Sequence, residues 1–183
     1  MVREFVAAVD RVLTDYPMID LDVVEVAELP AGSDTVQWSA RARGSGEAAR
    51  TITLDYRTAR QPGHALAAAE SDAAPGIYPA TLRAFGSALD HAGSGIARRQ
   101  AQRMLLVEYL SREPARHRSL ADVVRGYKSW RAELTGDGAG TGEFDLSRAF
   151  GAAFCDVVQR GDEATIQART LHAVLVAAST RRE

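Results

Sequence analysis

The sequence predicts an α+β fold: an N-terminal helix, a small three-stranded and mainly antiparallel sheet, then a mostly helical C-terminal half. Three observations carry this prediction. Apolar residues recur at helical spacing up to Tyr16, three stretches between Ile19 and Arg57 alternate apolar with polar side chains, and after Arg57 only helical patterns remain. The 183 residues suit a single domain, with residues 1–57 giving the helix and sheet and residues 58–183 the helical part. A chain of this length buries a core without disulfides or metal.

Phe5, Val6, Val9, Val12, Leu13 and Tyr16 define the first helix, which Pro17 closes. From Ile19 to Leu29 a Val-rich stretch reads as the first strand, ended by the turn cluster Pro30-Ala31-Gly32-Ser33-Asp34. Val36, Trp38, Ala40 and Ala42 alternate with polar residues in a second strand, turned by Gly44-Ser45-Gly46. Ile52, Leu54 and Tyr56 mark the third, and the short connections predict a meander. Thr58 to Asp72 suits a short helix with Pro62 in its first turn, broken by Pro75-Gly76. Thr81 caps the next helix, with Leu82, Phe85, Ala88 and Leu89 as its stripe, and Gly93 and Gly95 end or kink it. Ile96 to Arg112 is helical, with Ala97, Ala101, Met104, Leu105 and Leu110 inside and Arg98, Arg99 and Arg103 outside. Pro114 ends it. Ser119 opens a further helix through Leu134, Gly136 to Gly142 is a linker, and two last helices cover Phe144 to Val158 and Asp162 to Ala178.

The charge balance excludes little. A net charge of −2 gives no general electrostatic reason for nucleic acid or an anionic membrane. The lone Cys155 cannot form an internal disulfide, so the fold is indifferent to redox compartment. No apolar run approaches the roughly 20 residues a bilayer demands, and MVREFVAAVD lacks a signal peptide's apolar core.

The stretch Gly76 to Ala97, GIYPATLRAFGSALDHAGSGIA, holds His91-Ala92-Gly93-Ser94-Gly95 at its centre. GIYPA followed by LDHAGSGIA, the strand ITLDYR before them, and Ser147-Arg148-Ala149-Phe150-Gly151-Ala152 further on together resemble small zincin-like metallopeptidase domains of actinobacterial and phage-associated proteins. The resemblance covers most of the chain. In that family an H-E-x-x-H helix supplies two zinc-binding His and a Glu base, and a later helix supplies an acidic third ligand. It sets His91 at the first His, Ala92 at the Glu, Gly95 at the second His, and Arg148 and Ala152 at the two acidic positions. The motif therefore survives at one position only. The resemblance implies a pseudoenzyme: a zincin-like frame with no catalytic residue, no metal and no cofactor, acting as a structural module or binding a protein or peptide.

Blander readings stand beside each feature. A lone His91 is a satisfied or exposed histidine, because no second ligand lies at i+4, and Asp90 points elsewhere as a helical neighbour must. His64, His117 and His172 lie on different elements. Cys155 sits in an apolar helical run, as buried cysteines do, and Ser94 lacks a hydrolase elbow's strand-turn-helix setting. Arg98, Arg99 and Arg103, followed by Arg112, Arg116, Arg118 and Arg125, form a basic face. Without aromatic interleaving, that face suits solvent or a protein contact better than nucleic acid. A divergent metal-dependent hydrolase built around His91 is the alternative, and metal content separates the two readings.

Overall fold

Helix α1 (Val2–Asp15) forms where its spacing predicts, because Phe5, Ala8, Val9 and Val12 fall on one side and are buried. The computed structural model describes residues 1–42, 48–60, 76–112, 119–136 and 144–180. The readings of Gly44-Ser45-Gly46, of the stretch Gln61–Pro75 with Pro62 and His64, of Pro114, Arg116, His117 and Arg118, and of most of the glycine linker lie outside those residues. Two compact units divide the chain, Met1–Ala88 and Leu89–Glu183, with the boundary inside a helix.

The first unit holds the sheet: β1 (Val23–Ala27), β2 (Val36–Ala42) and β3 (Ala48–Asp55). It is mixed, in the order β1-β3-β2, where the sequence predicted a meander. β2 and β3 pair antiparallel, Val36 opposite Leu54 and Trp38 opposite Ile52, as a hairpin should. β1 instead lies parallel to β3, Val24 opposite Ile52 and Val26 opposite Leu54. Period-two alternation fixes which face a side chain takes but not which strand lies alongside, and here polar clamps decide. The Arg50 guanidinium donates to both Asp22 oxygens, at 3.0 and 3.2 Å, and to Asp20 Oδ2 at 3.0 Å. The Asp22 amide donates to the Arg50 carbonyl at 2.9 Å. At the far end Asp55 Oδ1 accepts the Leu29 amide at 3.2 Å, and Oδ2 accepts the amide and hydroxyl of Thr58. Asp55 thus pins the chain leaving β1 beside the end of β3. Burial pushes the Asp55 carboxyl up, but those donors, with Arg57, outweigh it and hold the group below the ordinary carboxylate value.

Ile52 and Leu54 share the buried face of β3, with no measurable exposure. A short helix, α2 (Tyr56–Arg60), follows directly, so β3 stops two residues before the predicted end. Helix α3 (Ile77–Ala92) begins before the predicted cap at Thr81. Thr81 is no cap; its hydroxyl donates to the Ile77 carbonyl at 2.7 Å within the helix. Tyr78, on α3, accepts a hydrogen bond from Arg11 of α1 at 3.1 Å.

The second unit contains α4 (Ile96–Arg112), α5 (Leu120–Ala132), α6 (Leu146–Arg160), a 3-10 turn (Gly161–Glu163) and α7 (Ile166–Ser179). Each later helix opens on a side-chain cap: Ser119 accepts from the Asp122 amide, Asp145 from Ser147 and Arg148, and Thr165 from Ala168. α7 packs against α4 and α6. The core of this unit includes Phe150, Phe154, Leu105, Leu171 and Leu175. α4 turns inward only Ala97, Ala101, Leu105 and Tyr109; Met104 and Leu110, predicted inside, are exposed. Among the described residues no helix is long and apolar enough to cross a membrane.

Candidate functional site

The stretch singled out by sequence begins as helix and ends in a turn. α3 stops at Ala92 because Gly93-Ser94-Gly95 folds back on its last turn. The Ser94 amide donates to the His91 carbonyl at 2.9 Å, and the Gly95 amide to the Asp90 carbonyl at 3.1 Å. These two bonds, with Ser94 at φ 52, make a Schellman stop. Gly95 itself has φ 68 and lies past the helix. His91 and Gly95 are therefore not one turn apart on a helical face, the arrangement that an H-E-x-x-H pair needs. Gly93 is held close to α7: a Cβ there would meet the Ala178 Cβ at 3.0 Å and the Ser179 nitrogen at 3.2 Å.

The polar centre of this corner is the residue beside His91. Asp90 is 5% exposed, while His91 points outward, as neighbours on a helix do. A carboxylate in the last turn of a helix meets the negative end of the backbone dipole, so burial there calls for a cation. Arg98, in the first turn of α4, supplies it: Nε donates to Asp90 Oδ2, and Nη2 donates to Ser147 Oγ at 3.0 Å. One guanidinium thereby ties the end of α3 to the start of α6. Asp90 Oδ1 is buried and accepts no hydrogen bond among the described residues.

The remaining predicted positions scatter. Arg148 is exposed, its amide capped by Asp145 at 3.3 Å, and Ala152 lies one turn further along α6, half-buried. Arg98 is held by Asp90 and Ser147, which separates it from the exposed Arg99 and Arg103 of the basic face. Arg98 is thus an arginine that binds this corner together. The sequence signal for it was an acid just before a glycine stop, with a basic residue one turn into the next helix. Cys155 is buried in α6, its thiol 3.7 Å from Gln159 Oε1. His172 is half-buried on α7 with its ring centroid 5.8 Å from that of Phe154, and burial holds its pKa below the ordinary imidazole value. Among the described residues no group of three or more His, Cys, Asp or Glu side chains is placed to hold a metal ion. The corner's groups are suited to joining helices.

Comparison of the chain with protein-family models, curated proteins and solved structures finds no match.

Proposed function

We infer that the chain is a non-catalytic polypeptide-binding module, and that its binding element is the outer edge of β1. One observation carries the reading: among the described residues β1 is a terminal strand of the sheet, and Val24 and Val26 on it are 46% and 41% exposed. Asp55 turns its amide to Thr35 on the β2 side, so Ile52 and Leu54 face β1; in the parallel register they bond Val23, Glu25 and Ala27, and the amides and carbonyls of Val24 and Val26 point away from β3. A row of outward backbone groups beside two exposed valines is a template for an added strand. An extended peptide with apolar residues level with Val24 and Val26 would continue the face of Ile52 and Leu54 and cover both.

The zincin resemblance supports the same reading. Edge pairing with an extended peptide is how zincins hold substrate, and it needs neither the base nor the ligands replaced by Ala92, Gly95, Arg148 and Ala152. The working surface is then the sheet edge, and the Asp90–Arg98–Ser147 chain serves the frame.

Panning a library of extended peptides on the purified protein, followed by amide hydrogen exchange, tests the proposal. Bound peptides are expected to slow exchange at Val24 and Val26. Val24→Pro removes an outward donor and is expected to weaken binding about tenfold, worth roughly 1.4 kcal/mol. Val24→Thr, which keeps that donor, serves as the control. Unchanged exchange in β1, or one equivalent of zinc with chelator-sensitive peptide hydrolysis, would overturn the proposal.

A further inference from the structure

The second unit carries an apolar surface that its own core leaves uncovered. Of the eleven exposed large hydrophobic residues among the described ones, six lie on α4 and α5: Met104, Leu106, Val107, Leu110, Leu120 and Val124. Each is at least 40% exposed, and a cluster of that kind marks an interaction site where scattered single residues would not.

The two helices lie side by side. The Tyr127 hydroxyl donates to the Gln102 carbonyl at 3.3 Å, and the Tyr109 ring sits 5.7 Å from Tyr127 and 5.5 Å from Trp130. Leu106 and Leu110 continue the Gln102 row along α4, while Val124 and Leu120 continue the Tyr127 row along α5 in the opposite direction. Helical spacing therefore sets the two aliphatic rows alongside each other. An open groove of about 630 Å³ is lined, among the described residues, by Leu120, Ala121, Val124, Arg125 and Lys128.

The charges around this surface that stand outside ion pairs among the described residues have one sign. Lys128 lines the groove, Arg99 and Arg103 share the outer face of α4, and none of the three has an ion-pair partner among the described residues. Among the described residues, the nearby acids Glu108 and Asp122 are already paired with Arg112 and Arg125. We propose that the outer face shared by α4 and α5 docks an acidic amphipathic helix of a partner polypeptide, its apolar stripe against the aliphatic rows and its carboxylates on Lys128, Arg99 and Arg103. Amphipathic helices commonly dock in apolar grooves, reading them through side chains at i, i+3, i+4 and i+7. A lipid surface fits less well. Membrane-surface helices place Trp and Phe outward, whereas Tyr127 and Trp130 of α5 are turned to Tyr109 and the exposed residues are aliphatic. This surface belongs to the second unit and is tested independently of the β1 edge.

The probe is a fluorescent designed helix of roughly 18 residues, about five turns, with leucines at that spacing and glutamates flanking them. A twin peptide carries lysine at every glutamate. Anisotropy is expected to show binding of the acidic peptide that weakens with salt, and at least about tenfold weaker binding of the lysine twin. Lys128→Glu with Arg103→Glu should weaken the acidic peptide about tenfold and rescue the twin; Val124→Asp should abolish both. All three positions are exposed, so circular dichroism melts of the variants should match the parent. Equal binding of both peptides, binding unaffected by the variants, or a parent protein that instead binds phosphatidylglycerol vesicles through these residues would overturn the proposal. A concentration-dependent dimer in sedimentation that Val124→Asp dissolves would do the same.

Discussion

Ser94 is the one non-glycine among the described residues held at positive φ. Its place in the Schellman stop is the one usually taken by glycine, because a Cβ there crowds the backbone at a cost of roughly 1–2 kcal/mol. Ser94→Gly is therefore expected to raise stability by about 1 kcal/mol, seen as a higher urea midpoint with an unchanged slope. A lower midpoint would mean that the serine hydroxyl makes a contact worth more than the strain. The same residue shows what sequence can reveal at this scale. Gly93 and Gly95 announced the end of the helix, but nothing in the letters said that the serine between them would take the strained position. Nor did they say that Asp90, one residue before His91, would be the buried one. Both depend on which side of α3 meets the rest of the unit, which is decided by packing far along the chain.

Among the elements, α5 depends on its neighbour most, since none of its residues is fully buried and its aromatic side rests on Tyr109. Gly126 makes this approach possible: a Cβ there would run into the Tyr109 hydroxyl, and the Tyr109 Cζ would be 3.4 Å away. Glycine inside a helix normally costs about 1 kcal/mol relative to alanine. Gly126→Ala should nonetheless destabilise the protein by about 1 kcal/mol, because Tyr109 is buried between two rings and cannot swing aside. In a Tyr109→Phe background the obstruction is gone, and the same change should stabilise by roughly 0.5–1 kcal/mol. Identical signs in the two backgrounds, measured by chemical denaturation, would contradict the account.

Elements were legible where one face of a helix or strand carried the whole signal. The stripe of α1 and the cap of α5 at Ser119 follow directly from their residues. On α4 the signal was double. Its inward side is built of Ala97, Ala101, Leu105 and Tyr109, and its outward side carries leucine, valine and methionine as well. Spacing alone assigned Met104 and Leu110 to the core, because apolar residues left on the surface look the same in sequence as those turned to the interior. The order of the strands was hidden for another reason. It rests on Arg50 reaching Asp20 and Asp22, a long-range pairing of charges that alternation does not report.

For the molecule as a whole, the charge is close to balanced, so bulk repulsion contributes little to its response to pH and single buried groups count for more. Burial holds the His172 pKa below 6.5. Its neutral form is the one favoured in the fold, so its contribution is full above 6.5 and is lost as pH falls through the lowered folded value. Thermal midpoints should therefore drop on the acid side of 6.5 more steeply in the parent than in His172→Gln. Parallel pH profiles would show that the imidazole carries no such linkage. At this scale the helix-sheet-helix plan was readable from periodicity, whereas the placing of a compact boundary within α3 was not, because that helix reads as continuous from one end to the other.

β3 lies between its two neighbours yet is the last of the three to be translated. A ribosome thus releases Val23–Ala27 with nothing to lie against until Thr51–Asp55 has followed it out. For that interval the nascent segment is open to chaperones and to identical chains on neighbouring ribosomes, and the speed of elongation through the intervening codons sets how long the exposure lasts.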